Sequence, residues 1–275
     1  MLVFALVLLS ILHVLAGGST ISCLYLKGHQ MSGADVDVDH RCSLKNKMVY
    51  NLPAEVLIKF NINEFKSGVT RLLIEGVDIQ GDDMVLSNED KLNVKMYQHN
   101  IMRRQQRSVG VRTIMVVRVQ AKDNLDVSWS TSELEYDFFS PTDTSFANQY
   151  LQCSNGDLVF LPAVFDSPVV KNGVGDLFLD ADVAGLFMSN GIENALTVAF
   201  VEKYGSVDQF DHVLFCMPKG MATGWQGYTY GVTWQSYYQD PWCGYYSLPV
   251  HEVGHNLGLD ASVMIRAIIG PWGSS

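Results

Sequence analysis

The residues best suited to chemistry lie near the end of the chain, in the segment His251-Glu252-Val253-Gly254-His255. Positions four apart lie one above the other on a helix, so the two imidazoles can bind one zinc ion at roughly 2.0–2.1 Å. Glu252 projects beside them and can take a proton from a metal-bound water. The spacing predicts a zinc site with His251 and His255 as metal ligands and Glu252 as catalytic base. A helix whose two histidines bind no metal is the alternative.

The residues before this segment predict strands that alternate with helices. The strands are indicated by β-branched and apolar runs, and the helices by apolar residues at helical spacing. The predicted elements are strands at 111–119, 158–161 and 212–216, helices at 142–153 and 182–204, and an edge strand with loop at 224–246. This alternation predicts an α/β segment that carries the histidine helix.

The first third of the chain predicts mainly β structure. Short apolar or alternating runs at residues 56–62 and 69–74 indicate strands. Residues 76–90, rich in Gly, Asp and Asn, indicate a connecting loop with at most a short strand.

A basic cluster at residues 103–107 interrupts an otherwise acidic chain and separates these two regions. The spacing Arg104-x-x-Arg107 resembles the recognition site of a furin-type processing protease, which would cut after Arg107. A solvated charge run on a surface loop is the alternative.

The N-terminus and the composition bear on location and partners. Residues 2–16 are apolar except for Ser10 and His13, a length typical of a secretory signal peptide cleaved near Gly18. A membrane anchor or a buried strand is the alternative. With 48% hydrophobic and 17% charged residues the chain can build a packed core. Its net charge of −10 excludes nucleic acid as an expected partner.

Five cysteines are too few for a disulfide scaffold, so the core must carry the stability. Cys23 and Cys42 are close in sequence and can pair with each other. Cys42, which follows Arg41, has two other interpretations: a thiol that caps the zinc in a latent proenzyme, or a thiol with neither role.

A family resemblance rests on residues 250–259, VHEVGHNLGL. This segment resembles the zinc helix of the gametolysin family, metzincin peptidases that degrade extracellular-matrix and cell-wall proteins, and a looser likeness extends over residues 109–259. The resemblance implies a metzincin-like mixed sheet with long helices and a zinc-binding active-site helix, preceded by a β-rich propeptide. It also implies that His251 and His255 bind Zn²⁺, that Glu252 is the catalytic base, and that the helix stops at Gly258.

The chain departs from the family pattern after Gly258. Metzincins carry a third histidine where this chain has Ala261, and residues 262–275 contain no His, Glu, Asp or Cys. Asp260 is the remaining candidate for a third ligand, but it stands one position early. Met264 lies too close to the zinc segment to form the family's methionine turn. The zinc site of this sequence is therefore incomplete.

The sequence as a whole predicts a secreted zymogen. Its expected parts are a signal peptide at 1–18, a β-rich propeptide at 19–107, the N-terminal part of a catalytic domain at 108–261, and an atypical tail at 262–275. The expected function is a zinc metalloendopeptidase that acts on matrix or cell-wall proteins or glycoproteins outside the cell. It would meet a membrane only through an uncleaved signal segment. The alternative is an inactive, truncated paralogue that acts as a non-catalytic binding protein.

Overall fold

A mixed α/β architecture is present in the computed structural model. The residues that it describes are 20–32, 35–59, 65, 67, 70–87, 92–98, 109–164 and 170–259. Within them the chain forms strands and helices in a mixed sheet, so the predicted mixed α/β class is confirmed. We call residues 20–98 the N-terminal unit and residues 109–259 the C-terminal unit.

The N-terminal unit consists of seven strands and one short helix among its described residues. They are β1 Thr20–Ser32, β2 Asp35–Ser43, β3 Val49–Asn51, α1 Ala54–Lys59, β4 Thr70–Glu75, β5 Val77–Gln80, β6 Asp83–Leu86 and β7 Asn93–Gln98. On one edge β1 pairs with β2, and on its other edge Thr20–Leu24 pair with β4. Buried residues of these elements, among them Val56, Leu72 and Ile74, form a core of their own.

The described part of the C-terminal unit consists of seven further strands and four α-helices. They are β8 Gly110–Ala121, α2 Thr131–Phe139, α3 Phe146–Cys153, β9 Leu158–Pro162, β10 Val170–Lys171, β11 Val174–Leu179, α4 Asn190–Tyr204, β12 His212–Cys216, β13 Gly227–Thr229, β14 Gln235–Tyr238 and α5 Ser247–Asn256. Strands β11, β8, β12 and β14 are parallel neighbours in that order, and β13 lies antiparallel beyond β14. The unit is therefore a mostly parallel sheet with an antiparallel strand on each side, β10 next to β11 and β13 next to β14.

Helices cover both faces of this sheet, which is why the middle of its central strand β8, residues 114–117, is apolar. Side chains alternate between faces along a strand. Met115 and Val117 of β8 pack with α4 on one face, while Ile114 and Val116 pack with α2, α3 and α5 on the other. A parallel strand covered on both faces carries apolar residues at successive positions, as β8 does over residues 114–117.

Several sequence predictions are confirmed. The strands expected at 69–74, 111–119, 158–161 and 212–216 correspond to β4, β8, β9 and β12. The helix expected within 142–153 is α3, which starts after the capping residue Ser145.

The helix expected at 182–204 is shorter than predicted, because α4 begins only at Asn190. The hydroxyl of Ser189 accepts a hydrogen bond from the Ile192 amide and so caps the helix at that point. Upstream, the Asp123 carboxylate accepts hydrogen bonds from the amides of Val183 and Ala184, which holds that stretch in a non-helical turn.

Two predictions for the N-terminal unit are wrong. The run expected as a strand from residue 56 is helical up to Lys59, because Pro53 and Glu55 favour a helix start over the strand preference of Val56. The loop expected at 76–90 contains the antiparallel hairpin β5–β6. Its turn includes Gly81 at φ +61°, a left-handed conformation that glycine adopts without steric penalty.

Two disulfides join cysteines in the structure, Cys23 to Cys42 and Cys216 to Cys243. The interpretation of Cys42 as a zinc-capping thiol is therefore wrong, because its sulfur is bonded to Cys23. Two disulfides are compatible with an extracellular protein.

None of the helices among the described residues is long and apolar enough to span a membrane. The predicted signal peptide, the basic cluster at 103–107, Asp260, Ala261 and the tail lie outside the described residues. The predicted boundaries of the signal peptide, propeptide and catalytic domain therefore stay predictions.

Candidate metal centre

Helix α5 carries the predicted site and stops where the sequence predicts. Gly258 has φ +86°, and its amide donates to the His255 carbonyl at 2.9 Å. The Leu259 amide donates to the Gly254 carbonyl at 2.9 Å. These two bonds form a Schellman C-cap, in which a left-handed glycine lets the chain turn away from the helix axis.

The structure brings His251 and His255 together on a half-exposed face of α5. Their Nε2 atoms are 3.2 Å apart. The Nδ1 atom of His255 lies 3.2 Å from the Leu259 carbonyl oxygen, which can only accept, so Nδ1 carries the proton. This hydrogen bond leaves the lone pair of His255 on Nε2, facing His251. Metal-binding histidines are commonly oriented by such a contact to their second nitrogen.

The spacing of the two nitrogens fits a shared zinc ion. Two ligands of a tetrahedral zinc at 2.0–2.1 Å are separated by roughly 3.3 Å, close to the 3.2 Å between the two Nε2 atoms. Partial burial lowers the pKa of His251, which favours the neutral, metal-binding form. Among the described residues, no group of three or more His, Cys, Asp or Glu side chains could hold a metal. The described part of the chain thus offers two candidate ligands, His251 and His255, and no third.

Glu252 lies on the buried face of α5 and is 1% exposed. Neither carboxyl oxygen has a hydrogen-bond partner among the described residues. Burial raises the pKa of Glu252 to about 8. The pKa values of Tyr150 and Tyr238 are raised mainly by burial, and the charge of Glu252 raises them further. A buried carboxyl group with no hydrogen bond is costly to ionise. Glu252 can therefore bind and release a proton near neutral pH, unlike a carboxylate on the surface.

Three contacts with other elements hold α5 in place. At its centre, the Tyr150 hydroxyl of α3 donates to the Val250 carbonyl at 2.7 Å. At its end, the Val232 amide, in the loop between β13 and β14, donates to the His255 carbonyl at 2.8 Å. The third contact involves the side chain of Asn256. The helix is thus fixed to α3 and to the hairpin β13–β14.

Asn256, which directly follows His255, is completely buried. Its Nδ2 atom lies 2.5 Å from Thr229 Oγ1, 2.9 Å from Thr233 Oγ1 and 3.1 Å from the Gln235 carbonyl oxygen. An amide nitrogen has two hydrogens, so two of these three acceptors can be well satisfied at once. Asn256 therefore fastens the histidine-bearing turn to both strands of the hairpin.

The segment before α5 is fixed by a disulfide and by one close approach. Cys243 lies shortly before the start of α5 at Ser247 and is bonded to Cys216 at the end of β12. Next to this disulfide, a Cβ atom on Gly244 would overlap the indole ring of Trp129. Only glycine fits there without displacing that ring. The chain is therefore held in position where it enters the histidine helix.

The structure defines a mixed α/β protein whose paired-histidine helix packs against the hairpin β13–β14. No family model, curated protein or solved structure matches the chain. The sequence predicted the two histidines but not the residues that position them: Tyr150, Val232 and Asn256. The asparagine could have been suspected as a polar residue on the apolar side of a helix, whereas the other two carry no local signal.

Proposed function

We propose that the chain is a secreted zinc-dependent endopeptidase of the metzincin kind, related to the gametolysin family. The observation that carries the proposal is the 3.2 Å separation of the His251 and His255 Nε2 atoms on one face of α5. The mostly parallel sheet with an antiparallel strand next to this helix supports it. The family resemblance suggests matrix or cell-wall proteins as substrates.

In this proposal each residue of the site has a separate role. His251 and His255 would hold zinc through Nε2, and the Leu259 carbonyl would keep His255 in the required tautomer. Bound zinc would polarise the scissile carbonyl and lower the pKa of the attacking water. Glu252 would accept the proton of that water and pass it to the leaving amine. For this step its carboxyl group must turn from its buried position toward the histidines.

A second candidate, a zinc-binding protein without catalysis, is favoured by one observation. The described residues supply two metal ligands and no third. Two ligands fix the geometry of a zinc ion poorly, and catalytic sites ordinarily use three protein ligands with one open position. Such a chain would retain the fold and a weak affinity for zinc.

The test measures zinc binding and proteolysis on the full chain. Zinc affinity is determined by calorimetry, and hydrolysis is followed with a fluorescently labelled general protein substrate. The peptidase proposal expects one zinc per chain, loss of binding in His251→Ala, and loss of hydrolysis with a chelator and in Glu252→Gln. Glu202→Gln, an exposed position on α4, is the control and should behave as wild type.

The outcomes separate the two candidates. If zinc binding depends on His251 but the wild type hydrolyses no more substrate than Glu252→Gln, the peptidase proposal is wrong and the zinc-binding protein without catalysis is supported. Binding that is the same in wild type and His251→Ala would overturn both, because the histidine pair would then not be the metal site.

A further inference from the structure

The N-terminal and C-terminal units share an interface that resembles the interior of a protein. Strand β1 pairs with β13 through His29–Thr229 and Gln30–Tyr228, so the two sheets are continuous. Leu26 and Val49 of the N-terminal unit belong to the same buried cluster as residues of α4 and β13. This interface therefore combines backbone pairing with apolar burial.

A buried ion pair lies at its centre. Arg41 of β2 donates to Glu193 of α4, with 2.6 Å between Nη1 and Oε1, and the Glu193 side chain is 1% exposed. The hydroxyls of Tyr228 and Tyr230 donate to the same Glu193 oxygen at 2.6 and 2.5 Å. Asp39 accepts from the other Arg41 nitrogen at 2.8 Å. Separating the units would leave Glu193 without its only cationic partner in this cluster.

Two further contacts bind the beginning of α4 to the N-terminal unit. The Asn194 side chain accepts from the Val49 amide at 2.8 Å and donates to the Val49 carbonyl at 3.0 Å. The Asp82 carboxylate accepts from the Gly191 amide at 2.7 Å, which satisfies one of the free amides of the first helical turn. The N-terminal unit thus supplies part of the capping of α4.

The disulfides between described cysteines do not link the two units. Cys23–Cys42 lies within the N-terminal unit, and Cys216–Cys243 lies within the C-terminal unit. If the chain is cut between residues 98 and 109, non-covalent contacts such as those above decide whether the units separate.

We propose that the N-terminal unit remains bound as a non-covalent subunit after the chain is cut, with Arg41 and Glu193 as the central contact. Residues 20–98 of the same chain bind to this surface of α4 and β13. This inference goes beyond the proposed peptidase function and holds whether or not the site binds zinc.

The experiment places a site for a specific protease between residues 98 and 109 of the full chain. After complete cleavage, the two fragments are analysed by size-exclusion chromatography at nanomolar concentration under native and denaturing conditions. We expect one native peak that contains both fragments and two peaks in denaturant. Native separation of the fragments, or precipitation of either after cleavage, would overturn the proposal.

Two variants test the role assigned to Arg41. Removing one partner of a buried ion pair should raise the dissociation constant in Arg41→Ala roughly 10²–10³-fold. Lys47→Ala removes a partly exposed ion pair with Asp208 at the same interface, and should change it less than about fivefold. Equal effects of both variants would refute the central role of Arg41. Should Arg41→Ala not fold, the cleaved wild-type protein still decides the proposal.

Discussion

The contact of Asn256 with the hairpin β13–β14 predicts a large effect from a small substitution. Asn256→Ala removes up to two well-formed hydrogen bonds in a completely buried site. Each buried hydrogen bond contributes about 1 kcal/mol net, so the free energy of unfolding should fall by about 2 kcal/mol. Thr229 Oγ1 still donates to the Gln235 carbonyl at 2.7 Å, which keeps the loss from becoming larger.

Urea unfolding followed by tryptophan fluorescence measures this loss. Asn148→Ala is the matched control, because Asn148 also lies on a helix and donates through Nδ2, to the Thr142 carbonyl at 3.1 Å, but is half-buried. Its loss should stay below about 1 kcal/mol. If the two substitutions lower the stability equally, the proposed anchoring of α5 by Asn256 is refuted.

Two further predictions concern other parts of the fold. Gly244→Ala should lower the free energy of unfolding by about 2 kcal/mol or more, since its Cβ would overlap Trp129; an unchanged urea midpoint would contradict this close approach. Burial and the charge of Lys27, in that order, lower the pKa of His40, and the charge of Asp39 opposes this shift. The Nδ1 atom of His40 lies 2.6 Å from the Tyr25 hydroxyl. Because the pKa of His40 is lower in the folded state, the unfolded state binds the proton first as the pH falls below about 6.5, and the folded state loses stability. The melting temperature should then drop more between pH 7.5 and 5 in wild type than in His40→Gln, and parallel curves would contradict it.

The sequence was sufficient for elements whose signal is local and strong. β8 is rich in β-branched residues, β12 is apolar after His212, and α3 shows apolar residues at helical spacing after a capping serine. The paired histidines were predictable for the same reason, because two residues four apart on a helix meet whatever the rest of the chain does.

The remaining features depend on contacts between distant residues. The non-helical turn before α4 is held by Asp123, about 60 residues away in the chain. The contacts of α5 with the hairpin β13–β14 join residues more than twenty positions apart in the sequence. Arg41 and Glu193 are separated by 152 positions. Nothing in a local window of sequence predicts such pairs. For the same reason, a buried arginine beside a disulfide cysteine could not be recognised as an interface residue.

The pairing of β1 with β13 has a consequence during synthesis. The residue His29 meets Thr229, about 200 positions later in the chain. At 5–20 residues per second, a ribosome needs roughly 10–40 s to make that stretch. Throughout this interval part of the β1 edge lacks its β13 partner, and an open strand edge readily pairs with other chains. Non-native pairing at this part of β1 is therefore possible until β13 has been made.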